Sequence, residues 1–150
     1  MGVEPFLIAS TMIAAMAQRL LRRNCAECAA PVNYDDGLLA AEFGADATST
    51  VERNFQAGQG CSACRNTGYR GRSAVYEMLP FTPEIKQLTV ARATSIDIKQ
   101  CALQQGMGTL RKAGWLRVCE GTTTVDEVLR VTADADLLPP DETGHASVSV

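Results

Sequence analysis

The chain has 150 residues, 46% of them hydrophobic and 21% charged, enough for one ordinary domain or two small ones with a real core. That composition excludes global disorder, collagen and coiled coil. Its 14 Lys and Arg face 17 Asp and Glu, and four of the acids (Asp134, Asp136, Asp141, Glu142) sit in the final stretch. The body is therefore close to neutral and lacks the basic excess of a general nucleic-acid binder.

Residues 5–23 (PFLIASTMIAAMAQRLLRR) carry an apolar run with two possible readings. A secretory signal needs a basic leader, but Glu4 stands there, and Arg19, Arg22 and Arg23 follow the run instead. The run also falls short of the roughly 20 apolar residues that span a bilayer. At helical spacing Ala9, Ile13, Met16 and Leu20 share one side, while Thr11, Gln18 and Arg22 lie opposite. Pro5 suits the first helical position. The expectation is an amphipathic helix over 5–23, with the cysteines cytoplasmic and reduced.

Between Cys28 and Cys61, residues 35–43 (DDGLLAAEF) predict a short helix ended by Gly44. Residues 44–50 (GADATST) read as a small-residue loop, and 51–55 as a strand. Asp35 and Asp36 look like helix caps rather than a catalytic pair. Glycines at 58, 60, 68 and 71 mark tight turns around the second cysteine pair.

Residues 74–79 (AVYEML) have the content of a strand. Small helices are predicted after it. One starts at Thr82-Pro83-Glu84 with Ile85 and Leu88 on a face; the next is capped by Ser95 and stopped by Gly106. A third covers 110–120 and ends at Gly121, and Thr124 to Glu127 (TVDE) forms a capping box for a fourth. Residues 134–150 lack periodicity, hold two prolines and read as a disordered acidic tail. The expected fold class is α+β, mostly helical. A tetracysteine zinc-binding module (24–73) lies between a leading amphipathic helix (1–23) and a small helical C-terminal domain (74–133).

Six cysteines carry the chemistry. Cys25-x-x-Cys28 and Cys61-x-x-Cys64 form two knuckles 32 residues apart, the pattern of a closed tetrahedral thiolate site for structural zinc. A thioredoxin-like dithiol uses one such pair, and a disulfide framework needs the signal peptide rejected above. An iron–sulfur cluster also takes four thiolates, although this spacing favours zinc. Four thiolates and Zn²⁺ leave a negative site, which Arg22, Arg23 and Arg65 could offset. Cys101 falls on an apolar helix face and reads as a buried small hydrophobe. Cys119 is isolated, and the only histidine, His145, lies in the tail. No phosphate-binding loop, dinucleotide fingerprint, serine elbow or zinc-protease helix is present, so no catalytic or cofactor-binding residues are assigned.

Several stretches, taken together and in order, resemble the C-terminal part of the secretion ATPases that power type II secretion and type IV pilus assembly. They are the opening MGVEPFLIAST with AQRLLRRNC, the two cysteine pairs, TGYRGR at 67–72 and YEML at 76–79. GMGTLR at 106–111, Gly114 and EGTTTVDEVLRVT at 120–132 complete the set. By that resemblance Cys25, Cys28, Cys61 and Cys64 are zinc ligands, and ATP with Mg²⁺ belongs only to a full-length parent. The resemblance also implies a hexamer at the cytoplasmic face of the inner membrane. Its partners there are the rest of the ATPase core, neighbouring subunits and membrane platform proteins, without membrane insertion. The nucleotide-binding core of such proteins has no counterpart here, so the chain looks like a truncated gene, a split reading frame or an excised domain.

The rival function is a zinc-ribbon nucleic-acid module using Arg65, Arg70 and Arg72. Near-neutral charge speaks against it. The leading helix, deprived of the domain it ends, is expected to leave an apolar face exposed and to promote association. An ATPase assay on this chain alone should return background; turnover above background would contradict the missing phosphate site.

Overall fold

A long two-stranded antiparallel ribbon organises the chain. The computed structural model describes residues 2–44, 47 and 52–136. A short helix α1 (Pro5–Thr11) leads into β1 (Ala14–Asn24), which pairs along its length with β4 (Tyr69–Pro80), from Ala14 opposite Pro80 to Asn24 opposite Tyr69. Between these strands lie β2 (Ala29–Pro31), α2 (Asp36–Phe43), β3 (Gln56–Gly58) and a single 3₁₀ turn over Ser62–Cys64. After β4 come α3 (Pro83–Val90), α4 (Ser95–Gln104), α5 (Leu110–Cys119) and α6 (Val125–Asp136). Six helices and two small sheets among the described residues agree with the α+β, mostly helical expectation.

The leading helix is the main correction. It stops at Thr11, and residues 14–24 are strand rather than helix. Two local causes end it. Ser10 and Thr11 hydroxyls both donate back to the Leu7 carbonyl, competing with the backbone, and Met12 is extended at ψ 134°. Tertiary pairing then decides the rest. In a strand Ala15, Ala17, Arg19 and Leu21 share a face, and Leu21, fully buried, packs with Val75 of β4 in the core. Of the residues predicted to share one helix side, Ala9 is buried, whereas Ile13, Met16 and Leu20 are 87%, 60% and 46% exposed.

The core gathers Leu21, Leu39, Phe43, Val75, Leu110, Trp115, Val118, Val125 and Val128 into one cluster. Trp115 sits at its centre, with ring centroids 4.7 Å from Phe43 and 5.7 Å from Phe55. This contact ties α2 and the segment before β3 to α5. Gly114 lets α6 approach, because a Cβ there would strike Val128.

Helix starts follow the sequence closely. Asp35, Thr82 and Thr109 side chains accept from the N–H groups of Leu38, Ile85 and Lys112. The cap of α4 is Thr94 rather than Ser95, paired reciprocally with Asp97 in a capping box. The strand expected over 51–55 is displaced to Gln56–Gly58; Val51 lies outside the described residues. The acidic tail predicted to begin at residue 134 starts inside α6, which runs to Asp136; residues 137–150 lie outside the described residues, as does most of the loop at 45–50. Cys101 is half-buried, accepting from Gln105 Nε2 at 3.7 Å, while Cys119 is buried in the core.

Only half of the expected capping box forms at α6. Thr124 Oγ1 accepts from the Glu127 N–H, but the Glu127 carboxylate turns elsewhere. It accepts from the Arg22 backbone N–H at 3.0 Å, from Arg22 Nε and Nη2 at 2.9 and 2.6 Å, and from Arg130 Nε and Nη2 at 2.9 and 2.8 Å. The Glu127 side chain is fully buried, whereas the two guanidinium groups keep 47% and 60% of their exposure. Burial opposes ionisation, yet donors from Arg130 and Arg22 outweigh it and hold the carboxyl down at about 2 against an ordinary 4.5. The stabilisation is therefore complete above about pH 4.5 and is lost as pH falls towards 2. Glu127→Gln should cost about 1–3 kcal/mol at neutral pH and flatten the acid limb of the stability profile. Thermal melts between these pH limits check this; an unchanged acid limb would show that Glu127 does not anchor α6 to β1.

Candidate metal centre

The two cysteine pairs lie near opposite ends of the excursion between Asn24, the last residue of β1, and Tyr69, the first of β4. Cys25 and Cys28 form the turn that leaves β1, and Cys61 to Cys64 form the 3₁₀ turn before β4. Pairing of β1 with β4 brings the outer ends together: the Cys25 N–H donates to the Gly68 carbonyl at 2.9 Å. Pairing of β2 with β3 does the same from the other side, with Ala29 opposite Gly58 and the Gln59 N–H donating to the Cys28 carbonyl at 2.9 Å. The four cysteines are thus brought together by two ladders, neither of which contains a cysteine.

The local turns follow from glycine and from left-handed backbone. Gly58 and Gly68 touch backbone to backbone, and a Cβ on Gly58 would overlap the Gly68 carbonyl. Gly68 itself has φ +75°. Arg65 and Asn66 adopt φ 54° and 60°, which folds the second knuckle back so that the Asn66 N–H meets the Cys61 carbonyl at 2.8 Å.

The four sulfurs converge. Cys25 Sγ and Cys61 Sγ are 3.9 Å apart, Cys28 Sγ and Cys64 Sγ 3.9 Å, and Cys61 Sγ and Cys64 Sγ 3.7 Å. All four lie within 4.8 Å of one another, and none is in a disulfide. Cys25 and Cys64 are buried, while Cys28 and Cys61 are half-buried. Four thiols converging on one point are the donor set of a tetrahedral ion, so these side chains could hold a metal.

Backbone donors already favour thiolate at one ligand. Burial pushes Cys64 up, but the N–H groups of Cys61 and Gly68 and the neighbouring thiols outweigh it and bring it down to about 6. The Cys61 N–H stands 3.2 Å from Cys64 Sγ. Cys28 goes the other way: burial and the surrounding thiols, opposed only by the Gly60 N–H, push it up to about 11. A cation would remove that asymmetry by stabilising every thiolate at once.

The arginines proposed to balance the site divide. Arg22 is committed to Glu127, 2.6 Å away, and stacks 4.2 Å from the Tyr69 ring, so its charge is taken up in the fold. Arg23 and Arg65 remain exposed beside the knuckles. Sequence reasoning missed the residue that joins the centre to the helices. Asn24 donates its amide to the carbonyls of Gln56 and Gly121, and its N–H to that of Thr122. Tyr69 adds a 2.7 Å bond to Thr124 at the start of α6. The polar Asn at a strand end, next to a ligand, was the available signal. No helix among the described residues is long and apolar enough to cross a membrane.

Comparison with known proteins fits this architecture. The family model described as type II/IV secretion system protein matches residues 1–130. The type IV pilus assembly ATPase PilB of Myxococcus xanthus is 36% identical over 133 residues, covering 89% of this chain and 24% of its own length. PilB of Thermus thermophilus is 38% identical, covering 89% of this chain and 15% of its own. The type II secretion system protein HxcR of Pseudomonas aeruginosa is 38% identical, covering 90% of this chain and 24% of its own. The chain thus spans a quarter or less of the length of these curated relatives. With a family match over most of its residues, this chain belongs to the type II/IV secretion system protein family.

Proposed function

We propose that this chain is the zinc-stapled, non-catalytic end of a type II secretion or type IV pilus assembly motor, serving to couple the nucleotide-driven core to its partners. In that reading residues 1–23 close the core, 24–73 form the zinc module and 74–133 the small C-terminal domain. The active motor is a hexamer at the cytoplasmic face of the inner membrane, working on membrane platform proteins, and ATP with Mg²⁺ binds elsewhere in the longer polypeptide.

The observation that carries the reading is the convergence of Cys25, Cys28, Cys61 and Cys64. Thiolates at about 2.3 Å from a central zinc ion stand about 3.8 Å apart; three of the sulfur–sulfur separations here are 3.7–3.9 Å, and all lie within 4.8 Å. Bound zinc supplies charge compensation and a four-way cross-link, and a closed tetrahedron leaves no position for a substrate. The coupling role rests on the mechanical connection described above. Asn24 and Tyr69 link the knuckles to the loop before α6, so a metal-fixed lobe and the C-terminal helices move as one body.

Elemental analysis of the reductively purified chain should find a single zinc ion, released by chelator with loss of the folded state. Zinc binding of this kind is worth on the order of 10 kcal/mol. Cys61→Ser should abolish the stoichiometric metal, while Cys101→Ser retains it. Absence of metal, or recovery of the four ligands as cystines, would defeat the assignment; iron in its place would correct the metal only. In a full-length motor carrying this segment, Cys61→Ser should also impair secretion or piliation, and unchanged export together with unchanged zinc would remove the coupling role.

A second variant tests the local scaffold. Gly58→Ala forces a methyl into the Gly68 carbonyl and should cost about 2–4 kcal/mol and weaken metal retention. A neutral melt would show that the two glycines are not in contact in solution.

A further inference from the structure

The sulfurs of the two knuckles are in contact across the gap between them. Cys25 Sγ touches Cys61 Sγ and Cys28 Sγ touches Cys64 Sγ, each at 3.9 Å. Each contact joins a buried residue to one that reaches solvent. Cys25 and Cys64 are 0% and 6% exposed, whereas Cys61 and Cys28 are half-buried. A sulfur open to an oxidant and seated against a sheltered thiol has the arrangement of a reactive cysteine and its resolving partner. Here the arrangement occurs twice.

The scaffold that aligns these contacts contains no cysteine. Pairing of β1 with β4 sets Cys25 against Gly68, and pairing of β2 with β3 sets Cys28 against Gln59. The sulfurs therefore keep facing one another while a metal bridge is exchanged for a covalent one.

We propose that the centre is a peroxide-responsive switch: its four cysteines close as two disulfides, Cys25–Cys61 and Cys28–Cys64, and give up the metal while the fold is kept. The inference rests on the reading of these sulfurs as one metal site. In each half the accessible thiolate, Cys61 or Cys28, attacks the O–O bond of hydrogen peroxide, becoming a sulfenic acid as hydroxide leaves. The touching thiolate, Cys25 or Cys64, then attacks the sulfenic sulfur, forming the S–S bond and expelling a second hydroxide. Together the halves oxidise four thiolates and reduce two peroxide molecules to four hydroxide ions. Metal coordination needs thiolates, so oxidation empties the site.

The pairing decides the consequence. Cys61 also lies 3.7 Å from Cys64 within its own turn. Closure there would take Cys64 from Cys28 and tie residues only three apart. Closure across the knuckles uses both 3.9 Å contacts at once and ties residues 36 apart, so a covalent cross-link replaces the metal at the neck of the excursion. The charge changes as well. Four thiolates around a divalent ion leave a negative site, whereas two disulfides leave a neutral one beside the exposed Arg23 and Arg65.

The test titrates the zinc-loaded 150-residue chain, freed of reductant, with hydrogen peroxide and follows zinc with a chromogenic chelator against an untreated control. Release should reach completion at about two peroxides per chain. Cleavage after Glu27, which separates Cys25 from Cys28, followed by fragmentation mass spectrometry should map Cys25–Cys61 and Cys28–Cys64. The oxidised, metal-free chain should keep a cooperative melt that the chain stripped by chelator under reductant loses. Dithiothreitol with added zinc should restore the starting state. Metal retained under peroxide, any other pairing of the four cysteines, sulfinic acids in place of disulfides, or an unfolded oxidised chain overturns the proposal alone. A chain that holds no zinc before treatment overturns the metal reading, and this proposal with it.

Discussion

Pairing of β1 with β4 is the constraint on which the remainder of the structure rests. The two strands are separated by more than forty residues of chain, yet their register places Leu21 and Val75 together in the core and Asn24 opposite Tyr69. That second pairing positions Cys25 against Gly68 and so delivers the two knuckles to one point. Closing so long an excursion carries a substantial entropic cost. A metal cross-link at its neck would relieve that cost in the folded state by constraining the chain where the ladder ends.

Glu127 performs the corresponding task on the helical side. A carboxylate with no solvent exposure is expensive unless its lone pairs are occupied, and here two guanidinium groups and a backbone N–H occupy them. Because the arginines stay partly hydrated, the arrangement avoids the desolvation of three buried charges. It fixes the start of α6 against the end of β1, close to the cysteine cluster. The same Arg22 lies over Tyr69, whose hydroxyl reaches Thr124, so the junction is closed twice by different chemistry.

The opposite end of the ribbon is built differently. There the strand carries Met, Ala and Leu toward solvent. One end of β1 is therefore tied to α6 and the loop before it, while Met16 and Leu20 nearer its start stay exposed.

How much was legible in the chain follows the range of the forces involved. Caps and stops are local, and Asp35, Thr82, Gly44 and Gly121 revealed helix ends through hydrogen bonds spanning three or four residues. The convergence of Cys25, Cys28, Cys61 and Cys64 was equally legible, because two C-x-x-C spacings impose their turns wherever they stand. The conversion of 14–24 from helix to strand was not, since short apolar runs fit both periods and the arbiter, β4, lies far along the chain. Nor was the fate of Glu127: TVDE specifies a capping box locally, but the approach of Arg22 to α6 offered its carboxylate stronger, charged donors. The amino-acid sequence by itself determined the turns, the caps and the four thiols; the tertiary structure alone decided which backbone groups found distant partners, because only folding brings those groups within hydrogen-bonding reach.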